Sequence, residues 1–156
     1  MASKDAGIII KGLERLLTYM SGFDWVCAER FHMEAAAYVK AQILMRTRAG
    51  IDADEHDFTP YSSYWKRVRD RVGLPTDRVD LFFTGSMLAS MTWKANKDRA
   101  VVFFRPSKDR FGSSNPEKAF YNHTKVGPRK FFAMSESDIR ELVSIYWKIL
   151  KKQWRK

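Results

Sequence analysis

Apolar residues recur at helical spacing through the first third of the chain. Ile8, Ile9, Leu13, Leu16, Leu17 and Met20 predict a short amphipathic helix that Ser21-Gly22 closes. A longer helix is expected from Asp24, a good N-cap before Trp25, to Thr47. Its Ala35-Ala36-Ala37 centre favours helix and lets another helix approach closely. Phe31, Met33, Tyr38, Val39, Ile43, Leu44 and Met45 lie almost all round it, so it is expected deep in a core or shared between subunits.

The pattern then breaks into an acidic loop from Arg48 to Pro60. Asp52, Asp54, Glu55, His56 and Asp57 are suitable metal ligands by type, but their spacing fits no calcium loop and no second ligand cluster completes a centre. A solvated loop is expected, with a basic patch on a neighbouring subunit as its counterpart. Pro60 opens a helical piece over Ser62–Val72, with Tyr61, Tyr64, Trp65 and Val68 as its apolar edge, and Gly73 and Pro75 end it.

Leu81-Phe82-Phe83 leads to a tight turn at Gly85 and a brief helix that feeds a strand over Met91–Ala95. Asn96-Lys97-Asp98 reads as a hairpin turn, and Ala100–Phe104 as the return strand. The Thr84-Gly85-Ser86 turn lacks the repeated glycines and lysine of a P-loop. Arg105–Lys118 is expected as a long loop, followed by a strand at Phe120-Tyr121-Asn122 that ends at His123. No nucleophile accompanies His123, which reads as a structural histidine that fixes its loop. Val126-Gly127-Pro128-Arg129 turns the chain toward Phe131-Phe132.

A last helix is expected with Ser135 as its cap and Asp138 closing a capping box, since Ile139, Leu142, Val143, Tyr146, Ile149 and Leu150 form one stripe. Trp147 and Trp154 lie off that stripe and are expected to meet a partner. Helices and strands in blocks imply an α+β class: a long N-terminal helix and a C-terminal helix packed on a small antiparallel β-sheet with long loops. One domain is expected over residues 1–156, helical over 1–47 and α+β over 48–156.

Composition adds partners to this picture. Five Trp, six Tyr and eleven Phe exceed what a 156-residue core needs, so some are expected at interfaces. The net charge of +10 and a pI near 9.8 imply attraction to a polyanion or an acidic protein surface. Basic residues are dispersed except at the C-terminus, where Lys148, Lys151, Lys152, Arg155 and Lys156 cluster. That cluster reads either as a solvated helix end favoured by the macrodipole or as a contact for DNA or an acidic partner. Cys27 alone excludes an internal disulfide and a cysteine zinc cluster. No apolar run is long enough to span a bilayer, and Met1-Ala-Ser-Lys-Asp has no signal-peptide character, so assembly in a cytoplasm is expected.

Two stretches carry a family resemblance: LFFTGSMLASM at Leu81–Met91 and AFYNHTKVGPRKFFAMSESD at Ala119–Asp138. Their order and spacing resemble the virion morphogenesis and tail-completion family of tailed bacteriophages, over roughly Ile43 to Leu150. Upstream, Phe58-Thr59-Pro60-Tyr61 after the acidic loop and Tyr64-Trp65-Lys66-Arg67 fit the family's order. The Leu-x-x-Thr-Gly-x-Leu-like step is met at Leu81–Leu88 with one extra residue. The Tyr-Ala-x-x-His-x-Phe-Gly element corresponds to Ala119–Gly127 with Phe120 and Asn122 as departures, and Pro-x-Arg-x-Phe-Leu-Gly is represented by Gly127–Ala133.

The resemblance implies a non-enzymatic structural virion protein of the head–tail connection, acting at the neck or in tail completion. It implies a ring, sixfold or twelvefold, around the DNA channel. Its partners would be itself, other neck proteins, the connector, and the tail terminator or tail tube, with non-specific contact to genomic DNA and none to a membrane. The protein would reside in the virion after assembly in the host bacterial cytoplasm. No catalytic residue, cofactor or metal is expected. Interface or channel candidates are Trp25, Phe31, Tyr38, Arg110, Lys125, Arg129, Lys148, Lys151, Lys152 and Arg155. Structural motif positions are Thr84, Gly85, Leu88, His123, Gly127, Pro128, Phe131, Ser135 and Asp138. The charge alone also fits a small basic nucleic-acid-binding protein, although no recognition helix, stacking sheet or zinc motif accompanies it.

Overall fold

The computed structural model describes residues 8–9, 26–125 and 129–153. In chain order it contains β1 (Ile8–Ile9), α1 (Val26–Ala49), α2 (Ser63–Asp70), α3 (Ser86–Ala89), β2 (Met91–Ala95), β3 (Ala100–Phe104), α4 (Asn115–Thr124) and α5 (Glu136–Gln153). This is the expected α+β arrangement. The three strands form one antiparallel sheet of order β1-β3-β2.

The β2–β3 hairpin forms where its turn residues foretell it. Asn96 Oδ1 accepts the backbone N–H groups of Asp98 and Arg99, both at 2.9 Å, which closes the turn without a glycine. Met91, Val102 and Phe104 are buried. Across them lies α1, which presents Phe31, Ala35, Val39 and Ile43 to the same core. The C-terminal helix α5 completes the layer with Leu142, Tyr146, Ile149 and Leu150, all 5% exposed or less. Ring packing ties the pieces together: Phe31 meets Tyr146 edge-on at 5.2 Å, and Phe104 lies 4.7 Å from Phe132.

Polar contacts fix the start of α5. Asp138 N–H donates to Ser135 Oγ at 3.2 Å while Ser135 N–H donates to Asp138 Oδ2 at 2.8 Å, a reciprocal capping box. Arg46, near the end of α1, adds an ion pair to Asp138 and bonds to Ser135 Oγ and the Ala133 carbonyl. The two long helices are thus joined by a buried charge pair as well as by apolar packing.

Two local expectations are overturned. Ile8 and Ile9 form a strand, not the start of a helix; they pair with Val102 and Val101 along the outer edge of β3. An unpaired sheet edge is a strong template for such a strand. Leu13–Met20, the rest of that expected helix, lies outside the described residues.

Phe120-Tyr121-Asn122 is not a strand either, because it lies within helix α4. Ser114 caps that helix by accepting the Glu117 N–H, Pro116 occupies the first turn, and Glu117 favours the N-terminal end. The start signal outweighs the strand preference of two aromatics, which remain exposed on the helix surface. The loop expected over Arg105–Lys118 accordingly ends at Ser114.

Candidate functional site

A cleft of about 700 Å³ lies between α2, the Leu81–Met87 segment, the Asp109–Ser113 loop and α4. One wall is set by Asp80. Its Oδ1 accepts from Arg69 Nη2 at 3.0 Å, from Tyr61 Oη at 3.2 Å and from Phe82 N–H at 2.9 Å. Arg69 is 1% exposed, and its remaining donors reach the Pro75 carbonyl from Nε and the Phe82 carbonyl from Nη1. A buried arginine is tolerated here because its charge and its donors find partners.

Arg129 stands in the same wall under different conditions. It is 6% exposed and donates from Nε and Nη2 to the Thr59 carbonyl, at 3.4 and 3.1 Å. Among the described residues no carboxylate pairs with it. Burial pushes its pKa down, the direction expected for a cation removed from water; the nearby Tyr61 opposes this. Both guanidinium groups lie over the Tyr61 ring, Arg69 at 4.5 Å and Arg129 at 5.5 Å from its centroid.

A polar strap ties the Thr84–Ser86 segment of the cleft to the start of α4. Thr84 Oγ1 and Ser86 Oγ are 3.0 Å apart, Ser86 Oγ donates to Asn115 Oδ1, and Asn115 Nδ2 donates to Ser107 Oγ. Gly85 carries a φ of 76°, and a β-carbon there would sit 2.6 Å from the Phe82 ring. Glycine is what lets the turn close against that aromatic.

The adjacent loop is held by Asp109, whose Oδ1 accepts the N–H groups of Phe111 and Ser113 and whose Oδ2 pairs with Lys118. Lys118 holds the Asp109 carboxyl below its usual range. The loop thereby displays Phe111, which is 65% exposed with Arg110 over its ring. Tyr64, Phe82 and Tyr121 also line the cleft with exposed rings, while Trp65 packs on Phe83 at 5.2 Å inside it.

The structure distributes the sequence candidates unevenly. Thr84, Gly85 and Arg129 gather at the cleft. Leu88, Phe131, Ser135 and Asp138 are buried structural positions, as expected of motif residues. His123 is half-buried with its ring edge-on to Phe131 at 6.1 Å, and burial lowers its pKa. Arg110, Lys125, Lys148, Lys151 and Lys152 are exposed.

One interface candidate needs correction: Phe31 is fully buried in the chain's own core. Arg129 is largely buried against Thr59 and Tyr61 but lines the cleft. Tyr38 is half-buried and packs against the core cluster. Trp25, Gly127, Pro128 and Arg155 lie outside the described residues, as does Trp154.

The acidic loop finds its basic counterpart within the chain. Lys130 Nζ pairs with Asp54 at 2.6 Å, Ser137 Oγ donates to Glu55, and Asp52 Oδ1 accepts the N–H groups of Asp54 and His56. Among the described residues no group of three or more His, Cys, Asp or Glu is placed to hold a metal, and no described helix is long and apolar enough to cross a membrane.

Sequence reasoning missed Arg69, Asp80 and Asn115, because tertiary contact alone selects them. It also missed His32, which is fully buried with Nδ1 donating to the Asn96 carbonyl and Nε2 sealed without a partner. Compared with known proteins, the chain matches no family model, no curated protein and no solved structure.

Proposed function

We propose that this chain is a structural component of the tailed-bacteriophage head–tail connection, a neck or tail-completion protein that assembles into a ring around the DNA channel. The observation that carries the reading is exposed apolar surface in two separate places. One group, Tyr64, Phe82, Phe111 and Tyr121, surrounds the cleft. The other lies on the helical layer, with Met33 and Met45 on α1 and Ile139 and Trp147 on α5, each between 43% and 63% exposed. Ile139 and Trp147 are two helical turns apart on α5, whose residues contribute nothing to the cleft.

Large apolar side chains left exposed are candidates for contact surfaces. A ring component needs two kinds of contact, one to its neighbour in the ring and one to the next component of the stack. The helical layer suits the first and the cleft the second. The sequence order from the acidic loop to the Ser135 cap supplies the resemblance that names the assembly.

The test is the mass of the purified chain by native mass spectrometry and light scattering over a range of concentrations. A closed sixfold or twelvefold species is expected, and Ile139→Ser with Trp147→Ser should reduce it to smaller species that keep the far-UV circular dichroism of the unaltered chain. A strict monomer at every concentration, with or without tail and connector proteins, would count against the ring. The exposed Lys148, Lys151 and Lys152 favour a second reading as a basic nucleic-acid-binding protein. Tight, salt-sensitive binding of that monomer to duplex DNA would establish it.

A further inference from the structure

We propose that the aromatic cleft is a docking site for an acidic peptide segment of another protein, and that Arg129 grips its carboxylate. The charge balance of the cleft is the starting point. Three cations line it: Arg69, Lys118 and Arg129. Arg69 is neutralised by Asp80 and Lys118 by Asp109. Among the described residues no carboxylate compensates the charge of Arg129 despite its near-complete burial, which is costly unless an anion is supplied.

The donor geometry names the anion. A guanidinium has five N–H donors. The Thr59 carbonyl engages Nε and Nη2, and Nη1 has no acceptor among the described residues. The Nη1–Nη2 edge is therefore open to a planar two-oxygen acceptor, the arrangement in which arginine binds carboxylate best. Around that point the cleft is mainly apolar, with the rings of Tyr64, Phe82, Phe111 and Tyr121 offered to whatever enters. A carboxylate flanked by apolar side chains is complementary to both features, and the net charge of +10 favours the approach of an acidic segment. The volume of about 700 Å³ suits a few side chains.

A nucleic acid strand is less well matched. A phosphodiester track calls for several free cations in line with the stacking rings. Here two of the three lining cations are already neutralised.

The inference rests on the assembly reading only in taking the occupant from a second component; ring formation and peptide capture can fail independently. Selection of a random heptapeptide library on the immobilised full chain tests it. Recovered peptides are expected to share an Asp or Glu flanked by apolar or aromatic residues. Replacing that acid by its amide in a synthetic copy should weaken binding about tenfold or more, and Arg129→Gln in the protein should do the same. Because Arg129→Gln also disturbs a buried contact, Tyr64→Ser with Phe111→Ser serves as an independent variant at exposed positions, expected to lose peptide binding with Tm unchanged.

No enriched sequence, or enrichment without a carboxylate, would overturn the proposal. So would equal capture by Arg129→Gln and the unaltered chain. Displacement of bound peptide by a twelve-residue oligothymidine would assign the cleft to nucleic acid. A fall in solution mass of the Tyr64→Ser, Phe111→Ser variant would assign it to a second copy of the chain. A monomeric but peptide-binding chain would sink the ring and leave this proposal standing.

Discussion

Arg46 and Arg129 are both drawn out of water, yet they serve opposite ends. In the helical layer Arg46 meets Asp138, Ser135 and Ala133, and its charge is spent on joining α1 to α5. In the cleft wall the Arg129 guanidinium meets, among the described residues, the Thr59 carbonyl and the face of Tyr61. In the first region a carboxylate answers the buried cation; in the second, among the described residues, a charge and several exposed rings are left without a partner. A buried cation is thus informative mainly through what neutralises it.

The contrast can be broken from the helical side with the largest effects. Phe31→Ala empties a fully buried site against Tyr146 and should cost about 3–5 kcal/mol by denaturant titration. Asp138→Ala removes the capping box and strands Arg46, with an expected loss of about 3 kcal/mol or more in the same measurement. If either change cost no more than a surface substitution, the helical layer would not be the stability core.

Acid should act on that same layer. His32 is neutral in the fold because burial depresses its pKa below the ordinary 6.5, with Asn96 and Asp98 opposing. Above pH 6.5 neither state binds the extra proton, and stability is at its full value. As pH falls below 6.5 the unfolded chain takes up a proton that the native chain refuses, so stability is lost until the lowered native pKa is passed. Stability, read as Tm or ΔG, is expected to fall between pH 7 and 5, and His32→Gln should flatten that fall.

Changes at the cleft should be smaller. Gly85→Ala meets both the positive φ and the Phe82 ring, for an expected loss of about 1–2 kcal/mol. Phe111→Ser should stay within about 0.5 kcal/mol, because the ring is mostly in water. A large loss at Phe111 would mean that the rim supports the fold and is not held for a partner.

Legibility in the sequence follows the same division. The apolar stripe Leu142, Tyr146, Ile149 and the Ser135–Asp138 box announce α5, and Asn96-Lys97-Asp98 announces the hairpin, because each signal is local. Local signals also conflict: in α4 the aromatic pair Phe120-Tyr121 suggested strand, while Ser114 and Pro116 set a helix start. Of the cleft, Thr84, Gly85, Arg129 and the apolar edge of Tyr61, Tyr64 and Trp65 were visible as separate features. Their convergence was not, because it depends on Asp80 and Arg69 meeting across the Pro75 turn and on Asn115 drawing in Ser107.

The pairing of Ile9 with Val101 has a bearing on how the chain is made. A ribosome releases the first strand long before its partner exists, and at about 5–20 residues per second the gap amounts to roughly 5 to 20 s. Through that interval Ile8 and Ile9 have no β3 to join. The sheet can be sealed only after the hairpin emerges, so β1, the first of the described strands to be synthesised, can take its place only once β3 exists.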